Sequence, residues 1–430
     1  MDSVRTLVVG AGITGLATAA ALSERGDEDY LVLEANSEIG GWCKTVKRDG
    51  FVWDYSGHFF HFKHPEIEKW LRDRMPSQRI RTVEKRSFIA YGEGHIDFPF
   101  QKNIHQLPKA DFIDCLHDVY FARSSDVKRA ASAPERNFKE MLRARFGESI
   151  CAKFLFPYNE KLYACDLAVL DNDAMGRFFP FADLTDIVAN MKRPDNTSYN
   201  ASFTYPEGGA IEYVRALATA VREGGIALDE ALVGVDLERK VAQTTRRQIR
   251  FERLVSSAPF NRLAALCRLD HDASVWAWNK VLVFNFGFDA KGQGGVHWTY
   301  YPARETLFYR VGWYDNILDT DRLSLYVEIG FSKDAAIDVE RARERVLADL
   351  KRERVVTSQR LVAEHSVVLD PAYVHITKAS IAEHRRLSVL MRAHGVWSIG
   401  RYGAWTYCAI EDNIVEARAL VASWFPAAGQ

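Results

Sequence analysis

The stretch "TLVVGAGITGLATAAALSERG" (Thr6 to Gly26) constrains the fold more than any other part of the chain. A β-branched apolar run, with Leu7 to Val9 as a buried strand, meets glycines at 10, 12 and 15. An alanine-rich helical segment comes next. In a strand–turn–helix unit of this kind, Gly10 makes the tight turn and Gly12 lets a pyrophosphate approach backbone N–H groups. Gly15 lets helix and strand pack closely. A second strand, "YLVLE", ends in Glu34, about twenty residues on, where an acid that binds ribose hydroxyls belongs. The unit reads as the opening of a dinucleotide-binding sheet.

The segment after Glu34 narrows the dinucleotide. "LEANSEIGGWCKTVKRDGFVWDYSGHFF" continues through Gly40 and Gly41 to Asp54 and then Ser56-Gly57-His58. This resembles the FAD signature of amine-oxidase-like flavoproteins, in which an acid–GG segment succeeds the ribose carboxylate. The resemblance implies FAD rather than a nicotinamide dinucleotide. It also implies that the FAD domain resumes later in the chain. Residues 231–259 alternate apolar and polar residues and end in "LVSSAP", the pattern of a β-meander rejoining the sheet. The segment "IEDNIVEARALVASWF" is helical, with Ile414, Ala417, Val421 and Trp424 on one face and Asp412 or Asn413 as a normal N-cap. The N-terminus of such a helix beside an isoalloxazine can stabilise negative charge on a reduced flavin.

With 430 residues the chain is too long for one compact core, so two or three domains are expected. The 56 basic and 57 acidic residues leave a net charge of -1, so no general attraction to nucleic acid is expected. Six scattered cysteines without a CxxC pair argue against a zinc site or a disulfide framework, and no metal is expected. No apolar run is long enough to cross a bilayer, and a soluble cytoplasmic protein is the expectation. Residues 64–200 are mainly helical in pattern, whereas 275–330 switch to period-two strands such as "VLVFNFGF" and "LSLYVEIG". "VERARERVLADLKRE" (339–353) reads as an exposed amphipathic helix. The expected fold is α/β: a discontinuous Rossmann-like FAD-binding domain (1–65, 201–265 and 390–430), an inserted helical substrate or lid domain (66–200) and an antiparallel sheet domain (266–389).

Several further segments, in order along nearly the whole chain, resemble the UDP-galactopyranose mutase family: "SGHFFHF", "DFPFQKNIHQLP", "YNEKLYACDL", "YNASFTYPEGG" and "GRYGAWTY". The resemblance implies roles at matching positions. Arg310 and Arg177 match the active-site and mobile-loop arginines, and Arg401 matches the arginine beside the flavin. Tyr407 matches a tyrosine on the diphosphate, and Asn200 an asparagine near the sugar or flavin. Asn159 and Tyr163 match uridine-side positions, although the family usually has tryptophan where Tyr163 stands. Phe98 and Gln101 match the lining of the uracil pocket, and Trp298 keeps the family's spacing to Arg310. His58 matches the histidine whose backbone carbonyl can approach the flavin N5. For FAD, the matching positions are Gly10, Gly12, Gly15, Glu34, Gly40, Gly41, Gly57, His58, Arg401, Asp412 and Asn413. The chain departs from the pattern at Ser56 (glycine or similar), Phe98 (tyrosine) and Ile317, where eukaryotic members carry a tyrosine on the diphosphate.

The implied activity is interconversion of pyranose and furanose forms of a nucleotide sugar, with UDP-galactose first in line. Reduced FAD would attack the anomeric carbon through N5, and NAD(P)H or another reductant would be the electron donor. Guanidinium forks suit a diphosphate because they offer fixed charge in bidentate geometry. Tyrosine adds a donor without further charge. The competing reading is an FAD-dependent oxidase or desaturase of the amine-oxidase or protoporphyrinogen-oxidase type. Those enzymes usually carry "AGE" where this chain has Gly400-Arg401. N-acetylated, arabinose and deoxysugar nucleotides, and a homo-oligomer, are all compatible with the motifs.

Overall fold

The computed structural model describes residues 1–129, 137–194 and 201–425. Asn200 therefore lies outside the described residues.

Strand Asp2–Val9 runs parallel to Tyr30–Leu33 on one side and to Gln248–Ser256 on the other. The sheet continues through Val241–Thr244 to Leu232–Asp236 at one edge and reaches Ile226–Ala227 at the other. Val396–Ser398 also pairs with Gln248–Ser256, making seven strands. The meander expected over 231–259 is this edge. Period-two geometry sends alternate residues to opposite faces. Val8, Val32 and Val255 pack under helices Ile13–Ser23, Ile211–Ala218 and Ile410–Ser423. Leu7, Val9, Leu33 and Leu254 face the other way, onto Phe260, Leu263, Trp276 and Leu387. The result is the three-layer arrangement of an α/β dinucleotide-binding fold.

A second seven-stranded sheet runs Leu361–Val374, Trp278–Phe288, Ser324–Ser332, Arg310–Trp313, Trp298–Tyr300, Ser87–Tyr91, Gly94–Asp97. Leu325, Val327 and Ile329 turn to helix Val339–Arg352, which buries Ala342, Val346 and Leu350 there. Tyr326, Val281 and Val283 turn the opposite way, into the largest core, shared with the helices between 109 and 163. Between its helices, the stretch 66–200 also holds strands Ile80–Glu84, Ser87–Tyr91 and Gly94–Asp97. The strands within 266–389 pair antiparallel, and a parallel pair, Trp298–Tyr300 beside Ser87–Tyr91, joins two of the earlier strands to their sheet. Strands of four or five residues carry almost no periodic signal, and apart from the hairpin Ser87–Tyr91 with Gly94–Asp97 their partners lie far away in the chain.

The last helix also differs from its expected start. It runs Ile410–Ser423 with Ala409 at the N-cap, so neither Asp412 nor Asn413 caps it from that position. Asp412 instead reaches back one turn, and its carboxylate accepts the Ala409 N–H at 2.8 Å. Among the described residues, no helix is long and apolar enough to cross a membrane.

Candidate active site

The glycine turn is built as the sequence implied. Gly10 sits at φ 98°, where only glycine is unstrained, and a Cβ on Gly15 would collide with the Gly10 carbonyl oxygen. Gly12, at the N-cap of helix Ile13–Ser23, has no side chain to cap the first-turn N–H groups. Gly41 lies against it, with 3.6 Å between its Cα and a Cβ built on Gly12. The second glycine pair is held over the turn by the Gly40 N–H, which donates to the Ala11 carbonyl at 2.9 Å. Glu34 closes the cradle: one oxygen accepts the Ala11 N–H at 2.8 Å, and the other accepts the Asn36 N–H and side-chain amide at 3.0 and 2.7 Å. Its carboxylate is therefore fixed at the strand end, where ribose hydroxyls can reach it.

One cavity of about 780 Å³ starts at this cradle and runs between the two sheets. The last helix flanks it. Asn413 accepts the Thr14 hydroxyl at 3.0 Å and the Arg401 N–H at 2.9 Å, which joins the N-termini of the first and last helices. His58 lines the cavity, and its buried Nδ1 has no hydrogen-bond partner. Burial, with help from Arg401 and against the pull of Glu328, pushes its pKa down to about 4, so the imidazole is neutral near pH 7. A helix N-terminus without a side-chain cap, a ribose-ready carboxylate and an orphaned polar atom farther along the same cavity fit an extended dinucleotide. Gly10, Gly12, Glu34, Gly40, Gly41, Gly57, Arg401 and Asn413 all line that cavity.

The distal half is rich in arginine and tyrosine. Arg310 and Glu328 face each other across neighbouring strands. The Arg310 Nε donates to a Glu328 oxygen at 2.7 Å, and a terminal nitrogen lies 2.6 Å from the same oxygen. Burial opposes both charges, yet mutual attraction holds the carboxylate below its ordinary range and the guanidinium well above its own. The other Glu328 oxygen accepts the Ser56 hydroxyl. Arg401 has no carboxylate partner among the described residues. It lies over the rings of Tyr407 and Tyr373, 4.6 and 5.1 Å from their centroids. Tyr373 and Tyr407 stack at 5.9 Å. Tyr300, which also lines the cavity, accepts the Trp298 indole N–H at 2.8 Å, and Phe59 stacks on Trp298.

Beyond the tyrosines, Phe98, Gln101 and Asn159 line the far end. The amide nitrogen of Gln101 donates to the Pro180 carbonyl, and that of Asn159 to the Leu155 carbonyl at 2.7 Å. Both amide oxygens are left buried without partners.

Not every expected residue reaches the cavity. Gly15 acts one layer below, through packing. Tyr163 is buried behind Tyr373, edge-on at 5.9 Å between ring centroids. Arg177 forms an ion pair with Asp412, so neither side chain lines the cavity, although Met175 and Phe178 beside Arg177 do. Ile317 is core, in helix Tyr314–Leu318, and does not occupy a diphosphate position. Residues missed from sequence are Glu328, Tyr158, Tyr300, Tyr309, Tyr326 and Tyr373. An acid at an inward position of "LSLYVEIG" was the available signal, since a buried carboxylate needs a cation.

With this geometry, the chain matches a family model described as flavin containing amine oxidoreductase over residues 13–371. It belongs to that family: a flavin-dependent protein with a cradle that fits FAD. Protoporphyrinogen oxidase 2 of Arabidopsis thaliana is 23% identical over 189 residues, 43% of this chain and 36% of that protein. A 4,4'-diapophytoene desaturase of Staphylococcus aureus is 41% identical over 51 residues, 12% of this chain and 10% of the other. The chain thus matches about a third or less of the length of these curated relatives. Among solved structures, a reduced UDP-galactopyranose mutase is similar at a TM-score of 0.90 and 21% identity, covering 99% of this chain and 94% of that one. A protein described as a putative protoporphyrinogen oxidase from Exiguobacterium sp. 255-15 is similar at 0.75 and 17%, covering 99% of each chain. A CLA-producing fatty acid isomerase from P. acnes reaches 0.68 at 14%, covering 98% of this chain and 99% of that one. These likenesses establish the mixed α/β fold.

Proposed function

We propose that the protein interconverts pyranose and furanose forms of a nucleotide sugar, UDP-galactose being the first candidate. The observation that carries this reading is Arg401, half-buried and without a carboxylate partner among the described residues, set with the Arg310–Glu328 pair among Tyr300, Tyr373 and Tyr407 at the cavity. The unpaired charge of Arg401 would repel a protonated amine, whereas a diphosphate would gain charge-assisted hydrogen bonds in a site of low dielectric. The fold shared with a mutase supports the same reading.

FAD, when bound and reduced, would supply the nucleophile for the anomeric carbon. The chain's own part is to hold the departing diphosphate close for its return, through Arg310, Tyr407 and Tyr373. Arg401 would place positive charge between cofactor and diphosphate. Gln101 and Asn159 would bind the base through their free amide oxygens, with Phe98 against its face. The neutral His58 would act by backbone placement and not as an acid. Arg177 would serve from its segment beside Met175 and Phe178, which line the cavity. NAD(P)H or another reductant would keep the protein active.

The test is incubation of the purified FAD-loaded protein with UDP-galactofuranose, with and without dithionite, and then chromatography. Pyranose formed only in the reduced sample supports the proposal. No conversion, with folded protein and bound FAD, moves the search to other nucleotide sugars. Rapid flavin reduction by a porphyrinogen would establish the oxidase alternative.

A further inference from the structure

The loop carrying His58 is pinned to the second sheet at successive points. The Tyr314 hydroxyl donates to the Ser56 carbonyl at 3.2 Å. Gly57 lies against the Tyr326 ring, where a Cβ would come within 2.7 Å of the phenol oxygen. That ring in turn covers Gly312, two residues from Arg310, and leaves no room for a side chain there. Between these contacts the Ser56 hydroxyl donates to Glu328, whose other oxygen holds the Arg310 guanidinium. Glu328 is 1% exposed, so water cannot replace a lost donor easily.

We propose that Ser56 is a positioning residue: its hydroxyl fixes the Glu328 carboxylate and, through it, aims the Arg310 guanidinium into the cavity. A fully buried carboxylate with one oxygen bonded to arginine and the other free can rotate about its last torsion and carry the guanidinium with it. A donor on the second oxygen removes that freedom. A glycine in place of Ser56 would leave the second oxygen without this donor, so the residue type at this position sets how rigidly Arg310 is presented. The consequence for the site rests on the nucleotide-sugar reading, because Arg310 needs an anion to meet.

The test uses the FAD-loaded protein and UDP alone, read by perturbation of the flavin absorbance. S56A weakens UDP binding by about fivefold to tenfold, as expected for a lost hydrogen bond to a charged group. S56T, which keeps the hydroxyl, restores wild-type affinity. In E328Q the added S56A change has little further effect, since the two residues act in series. Retained FAD and a single cooperative unfolding transition in S56A, lowered only by what one lost buried hydrogen bond costs, separate aim from folding. Wild-type affinity in S56A, or loss in S56T equal to that in S56A, overturns the role of Ser56 alone. Additive losses in S56A and E328Q overturn the serial arrangement. A wild-type protein that ignores UDP overturns the UDP-sugar reading and this role with it.

Discussion

Thr14 and Asn413 lie 399 positions apart in the chain, yet the threonine hydroxyl donates to the asparagine side-chain oxygen at 3.0 Å. The same oxygen accepts the Arg401 N–H at 2.9 Å. One amide thus sets the pyrophosphate end of the cradle relative to the arginine at its far end. N413A removes both bonds, and FAD affinity is expected to fall about tenfold or more. Fluorescence titration of the apoprotein with FAD measures this directly.

Two glycines of the turn separate cofactor contact from folding. A Cβ on Gly12 meets Gly41 at an ordinary 3.6 Å, whereas one on Gly15 strikes a carbonyl oxygen. G12A is expected to fold with the apoprotein's melting temperature but to purify colourless. G15A is expected to lose about 1–3 kcal/mol of stability through overpacking. Urea unfolding of the two apoproteins distinguishes the outcomes.

The Arg310–Glu328 pair gives an asymmetric prediction. R310A strands a buried carboxylate and is expected to cost about 3–5 kcal/mol, with UDP binding and turnover lost. R310M/E328L removes both charges, so stability recovers while UDP binding does not. Denaturant unfolding and UDP titration of the two variants provide the check, and FAD should remain bound in both.

Asp54 predicts a pH dependence of stability. Burial pushes its pKa up to about 7, against hydrogen bonds from Thr45, Ala210 and Tyr205. The folded state therefore holds this proton more tightly than the unfolded chain does. The stabilising contribution is complete below the ordinary carboxyl pKa and is lost as pH rises from about 4 to about 7. D54N lacks this titrating proton, so its stability relative to wild type should rise across that window. Unfolding free energies of both proteins at pH 4.5 and 7.5 measure the difference.

The ends of the cavity were legible to different degrees. Gly10, Gly12, Gly15 and Glu34 form one local strand–turn–helix unit whose geometry is dictated over a few residues, so spacing alone places them. The tyrosines come from one helix (Tyr158), three strands (Tyr300, Tyr326 and Tyr373) and two loop positions (Tyr309 and Tyr407), and they meet only when the second sheet closes on the first. Tyr163 lies four residues beyond Asn159 on a helix, which suggests one shared face. The helix ends there as Ala164 adopts the left-handed conformation, and the ring lies in the layer behind Tyr373. Arg177 matches a substrate-side motif, yet its guanidinium meets Asp412, a pairing 235 positions apart that no local pattern encodes. Glu328 shows the opposite case. Its chemistry was visible as an acid in an apolar strand, but its partner became evident only from the cross-strand register.

The order of strands in the first sheet bears on biosynthesis. Asp2–Val9 is synthesised some 240 residues before its neighbour Gln248–Ser256, and Val396–Ser398 comes later still. Until those segments are made, the strand that carries the cradle's glycines has one edge unpaired, and an open strand edge is a template for pairing with other chains.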